Sequence, residues 1–249
     1  SPPCASFSTA GKRHKQWGKT KKYSDSKQRA DDLFFEYSRL INDIQPKTFI
    51  AENVSGLVKG TAKGYFKEIL IELKNCGYRV EAKLLNSAFL GVPQARERVI
   101  FVGVRTDLGL VPKFPKPLEY YYTIEDAWQN IKEPPEKETN VDKYSIKKLW
   151  YETKLGKQHP KRFNLVRPHP KKPSPTMMAT QTVGAAQVMH PLEPRALSIS
   201  EVKRICSFPD DYVLTGNFGQ KKERMGRSVP PLMMKAISQT VQKEILDKI

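Results

Sequence analysis

The chain has 249 residues, of which 39% are hydrophobic, so it is long enough to bury one sizeable core and a small additional lobe. Its 43 Lys and Arg residues against 26 Asp and Glu residues give a formal net charge of +17, spread along the whole length. This charge indicates an anionic partner such as nucleic acid, although composition alone also fits a ribosomal, RNA-binding or membrane-surface protein.

The cysteine pattern excludes two classes of small protein. The three cysteines, Cys4, Cys76 and Cys206, form an odd set without a Cys-x-x-Cys pair, which argues against a disulfide framework and a zinc ribbon. The histidines are not at metal-ligand spacing with them, so we predict no metal site. No apolar run approaches the roughly twenty residues of a membrane span, and the start of the sequence does not resemble a signal peptide. We therefore expect a soluble cytoplasmic protein with no membrane partner.

Helical and strand periodicities alternate in the first half of the chain. Apolar residues from about residue 28 to residue 44 recur at helical spacing, and Pro46 stops this predicted helix. Residues 48–51 then form a short apolar strand whose carboxyl end leads directly into Glu52 and Asn53. Ligands of α/β sheets sit beyond the carboxyl ends of the strands, so the position of these two polar residues suggests a site.

The pattern continues with a second helix and two more strands. Phe66, Ile69, Leu70 and Leu73 predict an amphipathic helix that Gly77 closes as a left-handed cap. Residues 80–84 alternate as a half-buried strand, and residues 99–104 form a continuous apolar strand of the buried kind. Helices alternating with strands predict an α/β fold.

The remainder of the chain divides into an insertion and a return to regular structure. Residues 132–192 are short, basic, proline-punctuated pieces without clear periodicity, and we predict a compact inserted domain. We assign residues 1–131 to the main domain and residues 193–249 to a segment that returns to it. In that segment a capping box from Ser198 to Glu201 starts a helix that Pro209 ends, and a last helix starts near residues 230–231.

Four widely separated motifs carry the functional information. Each is weak alone, but the set in this order is specific. The motifs are Pro2-Pro3-Cys4-Ala5-Ser6-Phe7-Ser8, Glu52-Asn53-Val54, Gln94-Ala95-Arg96-Glu97-Arg98 and Gly226-Arg227-Ser228-Val229-Pro230. Together they cover nearly the whole chain and resemble the ordered motifs of the bacterial cytosine-5 DNA methyltransferase family, with a further matching block from residue 195 to residue 210.

The resemblance implies a fold, a reaction and a partner. The fold would be α/β, a Rossmann-like S-adenosylmethionine-dependent methyltransferase fold lacking its first strands, with a small inserted recognition domain. The reaction would be methylation of C5 of cytosine in double-stranded DNA, with S-adenosyl-L-methionine as cofactor. Because a paired base cannot reach such a pocket, the target cytosine must be flipped out of the duplex.

The chemistry needs a nucleophile and groups that accept the charge it donates. Cytosine C5 is too weakly nucleophilic to take a methyl group unaided, so a thiolate adds first to C6. By resemblance Cys4 is this nucleophile, Glu52 holds N3 and the exocyclic amine, and Arg98, with Arg96 beside it, supports O2 and the loop. One arginine of the pair could instead be a structural ion-pair partner. No side chain is clearly assigned as the base that removes the C5 proton, and water is a candidate for this step.

The resemblance also assigns binding residues. We expect basic side chains of the insertion, such as Lys161, Arg162 and Arg167, to contact phosphates rather than bases. The predicted cofactor contacts are Pro3, Leu33, Ser228 and Val229, and the predicted DNA contacts are Ser6, Ser8, Gln94 and Thr176.

Two departures from the family pattern qualify this interpretation. The Phe-x-Gly-x-Gly block that family members use to bind S-adenosylmethionine has no counterpart in the sequence, and Arg227 replaces the Asn that is usual in its block. We expect the sequence to be part of a longer enzyme, in preference to one half of a split enzyme whose second polypeptide carries the glycine-rich loop, or a decayed relative. On its own the chain should be inactive and should not bind S-adenosylmethionine tightly.

Two other functions stay open at this point. The chain could be a non-catalytic DNA-binding or regulatory subunit, which retention of Cys4, Glu52, Arg96 and Arg98 together disfavours. It could also be an RNA cytosine-5 methyltransferase of related fold. The resemblance implies a bacterial or phage-encoded protein that acts on the chromosome.

Overall fold

A computed structural model describes residues 21–23, 26–28, 33–58, 63–179 and 184–249. The chain divides into two compact units. The first comprises the described parts of Ser1–Leu85 with Glu97–Pro115 and Ile237–Ile249, and the second comprises Asn86–Arg96 and Lys116–Ala236.

The first unit is built on a three-stranded sheet. Its helices and strands are β1 (Lys21–Tyr23), β2 (Ser26–Gln28), α1 (Leu33–Ile44), β3 (Thr48–Val54), α2 (Lys63–Asn75), β4 (Tyr78–Asn86) and β6 (Glu97–Arg105). The intervening strand β5 lies in the second unit. The strand order is β3-β6-β4, and β1 pairs with β2 in a separate antiparallel hairpin. β3 and β6 are antiparallel, with Thr48 opposite Val104 at one end of the ladder and Val54 opposite Arg98 at the other.

One face of this ladder packs on an aromatic core. Burial alternates along β3, where every second residue is buried, as a strand with one core face requires. Phe49 packs edge-on against Tyr78, and Phe34 of α1 packs against Phe101 of β6. Gly103 lies opposite Phe49 in the ladder, and a Cβ at this position would lie 2.1 Å from the Phe49 ring. Position 103 therefore requires glycine, because any side chain there would collide with the Phe49 ring.

The second unit combines short helices and strands around two buried clusters. Its elements are β5 (Gln94–Ala95), α3 (Ile124–Ala127), α4 (Ile146–Glu152), β7 (Lys157–His159), β8 (Arg162–Arg167), β9 (Ser174–Pro175), α5 (Ile199–Ile205) and α6 (Phe218–Arg227). β5 pairs with β9 in parallel, and β7 pairs with β8 in an antiparallel hairpin. One cluster surrounds Met177 and Leu197, and the other surrounds Trp150 and Leu165.

Several sequence predictions are confirmed. The second helix is present as α2, and Gly77 after it has φ of 90°. Ser198 and Glu201 form the predicted capping box of α5. The last helix is α7 (Pro231–Glu244), which begins where the sequence predicted.

Three predicted boundaries were wrong. Gln28 lies in β2, and helix α1 begins only at Leu33. β3 continues to Val54 because its ladder with β6 extends past Glu52, so Glu52 lies within the strand rather than beyond its end. α5 ends at Ile205, before Pro209.

The segment from residue 132 to residue 192 contains α4 and β7 to β9, although its sequence shows no clear periodicity. It lies entirely within the second unit, which also includes residues on both sides of it. The domain boundaries at residues 131 and 192 stay a prediction. In the described part of the chain, no helix is long and apolar enough to cross a membrane.

Candidate active site

Glu52 and Arg98 form an ion pair on neighbouring strands of the first unit. Glu52 lies opposite Ile100 and Arg98 lies opposite Val54, so the two side chains are diagonal neighbours on one face of the ladder. Nε of Arg98 is 2.8 Å from Oε1 of Glu52, and the side chains are only 12% and 14% exposed. Nη1 of Arg98 donates to the carbonyl oxygen of Glu97. The fold therefore brings together two of the groups that the sequence assigned to catalysis.

Arg96, two residues earlier, makes different contacts. Its side chain is buried in the second unit, where Nη1 donates to the carbonyl oxygen of Met177 and Nη2 donates to that of Gly226, both at 2.9 Å. Buried carbonyl oxygens need hydrogen-bond donors, and a charged donor forms the stronger bonds. Arg96 thus joins the chain after β9 to the end of α6. The roles expected of Arg96 at cytosine O2 and in support of the loop stay predictions.

Gln94 is also inside the second unit. Its side chain is fully buried, Nε2 donates to the carbonyl oxygen of Ile205, and Oε1 accepts from the backbone N–H of Met177. Nε2 also lies 3.4 Å from Sγ of Cys206. The predicted contact of Gln94 with DNA would require the side chain to leave these three partners. In the structure Gln94 positions the segment that follows β9.

The same segment carries Thr176. Its hydroxyl donates to the carbonyl oxygen of Ala95 at 2.9 Å, and the side chain is half-buried. Gly226 approaches this segment so closely that a Cβ would lie 2.3 Å from the carbonyl oxygen of Met178. Position 226 therefore requires glycine, because the backbone there lies directly against the backbone at Met178 and leaves no space for a Cβ.

The described cofactor candidates are a leucine, a serine and a valine, all half-buried. Leu33 is the first residue of α1 in the first unit. In the second unit Ser228 caps the end of α6, its hydroxyl donates to the carbonyl oxygen of Met225, and Val229 follows it. Apolar surface and a hydroxyl suit the edge of an adenosyl group. They do not supply the carboxylate that would hold its ribose hydroxyls.

The two described cysteines are poor nucleophiles. Burial raises the pKa of the Cys206 thiol to about 11. Burial, followed by the charge of Glu72, also raises the pKa of Cys76. Because the thiolate is the reactive form, both cysteines are held in the less reactive thiol state.

Other predicted residues lie outside the part of the chain that the structure describes. They are Pro3, Cys4, Ser6 and Ser8. Within the described ranges, no group of three or more His, Cys, Asp or Glu side chains is arranged to hold a metal ion.

Sequence reasoning missed the buried lysine of α6 and the carbonyl partners of Arg96. Lys222 is fully buried, and its Nζ donates to Oε1 of Gln187 and to the carbonyl oxygen of Leu197. Burial lowers its pKa to about 8. The local sequence does not show which of Lys221 and Lys222 is buried. Every residue carries a backbone carbonyl, so the sequence also does not show which carbonyl oxygens accept from Arg96.

The fold resembles that of known methyltransferases. A prophage-encoded protein of Escherichia coli superposes with a TM-score of 0.71 at 18% identity, over 87% of this chain and 75% of that one. The Entamoeba histolytica methyltransferase EhMeth superposes with a TM-score of 0.65 at 17% identity, over 98% of this chain and 76% of that one. The α/β methyltransferase fold expected from the motifs is thereby confirmed.

Sequence comparison defines the family. The family model described as C-5 cytosine-specific DNA methylase matches residues 1–243. The Type II methyltransferase M.NgoFVII of Neisseria gonorrhoeae is 34% identical over 80% of this chain and 59% of its own length. M1.HphI of Haemophilus parahaemolyticus is 32% identical over 97% of this chain and 67% of its own length. The chain belongs to the C-5 cytosine-specific DNA methylase family and spans 59% and 67% of the length of these two relatives.

Proposed function

We propose that this chain carries the catalytic centre of a DNA (cytosine-5)-methyltransferase, which transfers a methyl group from S-adenosylmethionine to C5 of a flipped cytosine. The observation that carries the proposal is the low-exposure Glu52–Arg98 pair in a chain that belongs to this family. The chain spans only part of its relatives' length. We therefore also propose duplex DNA as the substrate of the whole protein and S-adenosylmethionine as its cofactor.

The reaction begins with a thiolate. The family resemblance of the Pro2-Pro3-Cys4 motif assigns this role to Cys4. The two described cysteines are unsuited to it, because burial raises the pKa of Cys206 to about 11 and also raises that of Cys76. The Cys4 sulfur adds to C6 of the cytosine, and the electron pair of the C5–C6 double bond becomes available at C5 for the new C–CH3 bond. S-adenosylmethionine supplies an electrophilic methyl group when bound, and Pro3, Leu33, Ser228 and Val229 are the residues proposed to contact it.

Glu52 and Arg98 act on the pyrimidine ring. Addition at C6 increases electron density at N3 and O2, so a carboxyl that holds the proton at N3 and a guanidinium beside O2 lower the barrier. Arg98 fixes the direction of the Glu52 carboxyl through Nε, and low exposure strengthens the electrostatic effect of both groups. Once C5 is methylated, water takes the C5 proton, and the electrons of that C–H bond re-form the double bond and expel Cys4.

Arg96 and Gln94 hold the surrounding chain in place. Their bonds to Met177 fix the backbone next to Thr176, which the family resemblance assigns to the DNA contacts. We propose that this junction positions Thr176 and that Ser6 and Ser8 complete the DNA contact. The substrate is duplex DNA with the target base turned out.

Binding of S-adenosylmethionine requires residues beyond those of this sequence. The 249 residues contain no Phe-x-Gly-x-Gly block, so they should not bind the cofactor tightly by themselves. Further residues of a longer chain, or a second polypeptide, would supply that block. Isothermal titration of the 249-residue chain with S-adenosylmethionine tests this point, and binding with a micromolar dissociation constant would contradict it.

A covalent trap tests the enzymatic proposal. In a cytosine that carries fluorine at C5, the final elimination is blocked after methyl transfer, and the protein stays attached to the DNA. The chain is mixed with 5-fluorocytosine duplex, S-adenosylmethionine and a polypeptide that carries the glycine-rich block. An adduct that survives denaturing electrophoresis and is lost in Cys4→Ser supports the proposal. A well-folded chain that binds duplex without forming an adduct would instead favour a non-catalytic subunit, and trapping on 5-fluorocytosine RNA alone would favour an RNA enzyme.

A further inference from the structure

A fully buried serine closes the loop that carries Gln94 and Arg96. Ser87 is 0% exposed, and its backbone N–H donates to the carbonyl oxygen of Arg96 at 3.0 Å. The carbonyl oxygen of Ser87 accepts from the N–H of Val92 at 3.2 Å. All of these residues belong to the second unit. Both backbone groups of Ser87 are therefore committed to the loop that ends in the Gln94–Arg96 segment.

The Ser87 hydroxyl makes two further hydrogen bonds inside the loop. Its Oγ donates to the carbonyl oxygen of Gln94 at 2.5 Å and accepts from the backbone N–H of Arg96 at 3.2 Å. Arg96 lies between β5 and β6 and belongs to neither strand. Because a buried backbone group without a hydrogen-bond partner is costly, the hydroxyl does here what a neighbouring strand does in a sheet.

The opposite edge of the same segment is held by the chain around β9. The carbonyl oxygen of Pro93 accepts from the N–H of Ser174, and the carbonyl oxygen of Ala95 accepts from the hydroxyl of Thr176, both at 2.9 Å. Successive carbonyls of an extended chain point to opposite edges, so the two carbonyls that alternate with these ones face Ser87. Residues 93–96 are thus fixed between Ser87 on one edge and the Ser174–Thr176 segment on the other.

The two residues that Ser87 holds by their backbone are the two whose side chains hold Met177. Oε1 of Gln94 accepts from the Met177 N–H, and Nη1 of Arg96 donates to the Met177 carbonyl oxygen. Both side chains reach their partners from fixed backbone positions, so a shift of that backbone would lengthen both bonds. Met177 directly follows Thr176 in the chain.

We propose that Ser87 is a positioning residue of the methyl transfer, whose hydroxyl fixes the backbone of Gln94 and Arg96 and, through Met177, the place of Thr176. This assignment rests on the proposed function, because the DNA contact of Thr176 is part of that proposal. Ser87 acts through these residues and not on the pyrimidine itself.

Hydrogen exchange of the 249-residue chain, measured by mass spectrometry on residues 172–179, tests the transmission to Thr176. Ser87→Ala removes the hydroxyl from two buried backbone groups, so exchange in this segment should become about tenfold faster. Ser87→Thr keeps the hydroxyl and should return the exchange to that of the unaltered chain. The matched control is Ser38→Ala on α1, because Ser38 is also buried and its hydroxyl donates to the carbonyl oxygen of Phe34 in its own helix.

Two results of this measurement would overturn the assignment. One is unchanged exchange of residues 172–179 in Ser87→Ala. The other is an equal acceleration in α4 of the same unit, which would show a general loss of stability in place of a transmitted effect. Ser38→Ala should leave the exchange of residues 172–179 unchanged.

The trapping reaction with 5-fluorocytosine duplex supplies a second readout. Because Thr176 is the DNA contact, Ser87→Ala should raise the duplex concentration for half-maximal adduct formation by about tenfold. The maximal rate should change by less than about twofold, because Glu52 and Arg98 keep their pairing. Equal losses in both quantities would contradict a role through Thr176, and Ser87→Thr should restore the half-maximal concentration.

The two readouts separate this assignment from the proposed function. An unaltered chain that forms no adduct would count against the proposed function, whereas the exchange measurement would still decide whether Ser87 holds the Thr176 segment. Adduct formation through Cys4 together with unchanged exchange in Ser87→Ala would leave the proposed function standing and remove only the role of Ser87.

Discussion

Replacing Arg96 by Met should destabilise the second unit much more than replacing Arg98. Arg96 is buried and donates to the carbonyl oxygens of Met177 and Gly226, which are 81 and 130 residues away in sequence. Met fills much of the same volume but leaves both oxygens without this donor. The two elements that Arg96 joins, the segment after β9 and the end of α6, then lose their direct polar link.

The size of the effect follows from these two bonds. A hydrogen bond from a charged group contributes about 1.5–3 kcal/mol, so the pair contributes about 3–6 kcal/mol before any compensation. Apolar contacts of the Met side chain offset part of this loss, and we expect a net loss of about 3 kcal/mol. Arg96→Lys should fall between the wild type and Arg96→Met, because a single ammonium cannot reproduce the planar fork that reaches both carbonyls.

Urea unfolding followed by tryptophan fluorescence measures this loss in the second unit. Two of the three tryptophans, Trp128 and Trp150, lie in that unit, so a Trp17→Phe background reports on it alone. With a slope of about 2 kcal/mol per M of urea, Arg96→Met should lower the midpoint by about 1.5 M. Arg98→Met, the matched control in the first unit, should leave this midpoint unchanged and abolish the Cys4 adduct. A shift below about 0.3 M for Arg96→Met would refute the assigned role.

Three further predictions follow. Glu52→Gln should reduce the rate of adduct formation with 5-fluorocytosine DNA by at least about a hundredfold while the melting temperature changes little, and a normal rate would remove Glu52 from the mechanism. Gly103→Ala should cost about 1–3 kcal/mol in urea unfolding because its Cβ meets the Phe49 ring, whereas Gly64→Ala, with open space around its Cβ, should not destabilise the chain. Burial lowers the pKa of Lys222 from 10.5 to about 8, so the unfolded chain binds more protons between these values and stability rises with pH. The unfolding free energy of the wild type relative to Lys222→Met should therefore increase by about 2 kcal/mol from pH 8 to pH 10, and a flat difference would contradict the assigned burial.

Local sequence patterns predicted the elements that depend on neighbouring residues. The capping box of Ser198 and Glu201 and the left-handed Gly77 are formed within a single turn of chain, so residue type and spacing suffice. The continuous apolar run in β6 and the helical spacing in α2 likewise depend on short-range periodicity. Boundaries were less accurate because pairing partners set them: β3 continues past Glu52 only because β6 lies beside it.

In the candidate site, too, the sequence identified residue types, whereas tertiary contacts decided their roles. The motif set placed the chain in its family and selected Glu52, Arg96 and Arg98. It did not distinguish the two arginines, which have the same chemistry and lie two residues apart. Arg98 pairs with Glu52 across a strand ladder, whereas Arg96 turns to carbonyl oxygens supplied by distant backbone.

The sequence by itself determined the family, the order of the motifs and the residue types available for thiol addition and charge stabilisation. Tertiary structure alone decided that Glu52 and Arg98 are in contact, that Lys222 is buried and that Phe163 is exposed. The physical reason is that hydrogen bonds, ion pairs and burial depend on groups far apart in the chain. Their positions are fixed only when the sheet and the two buried clusters of the second unit are assembled.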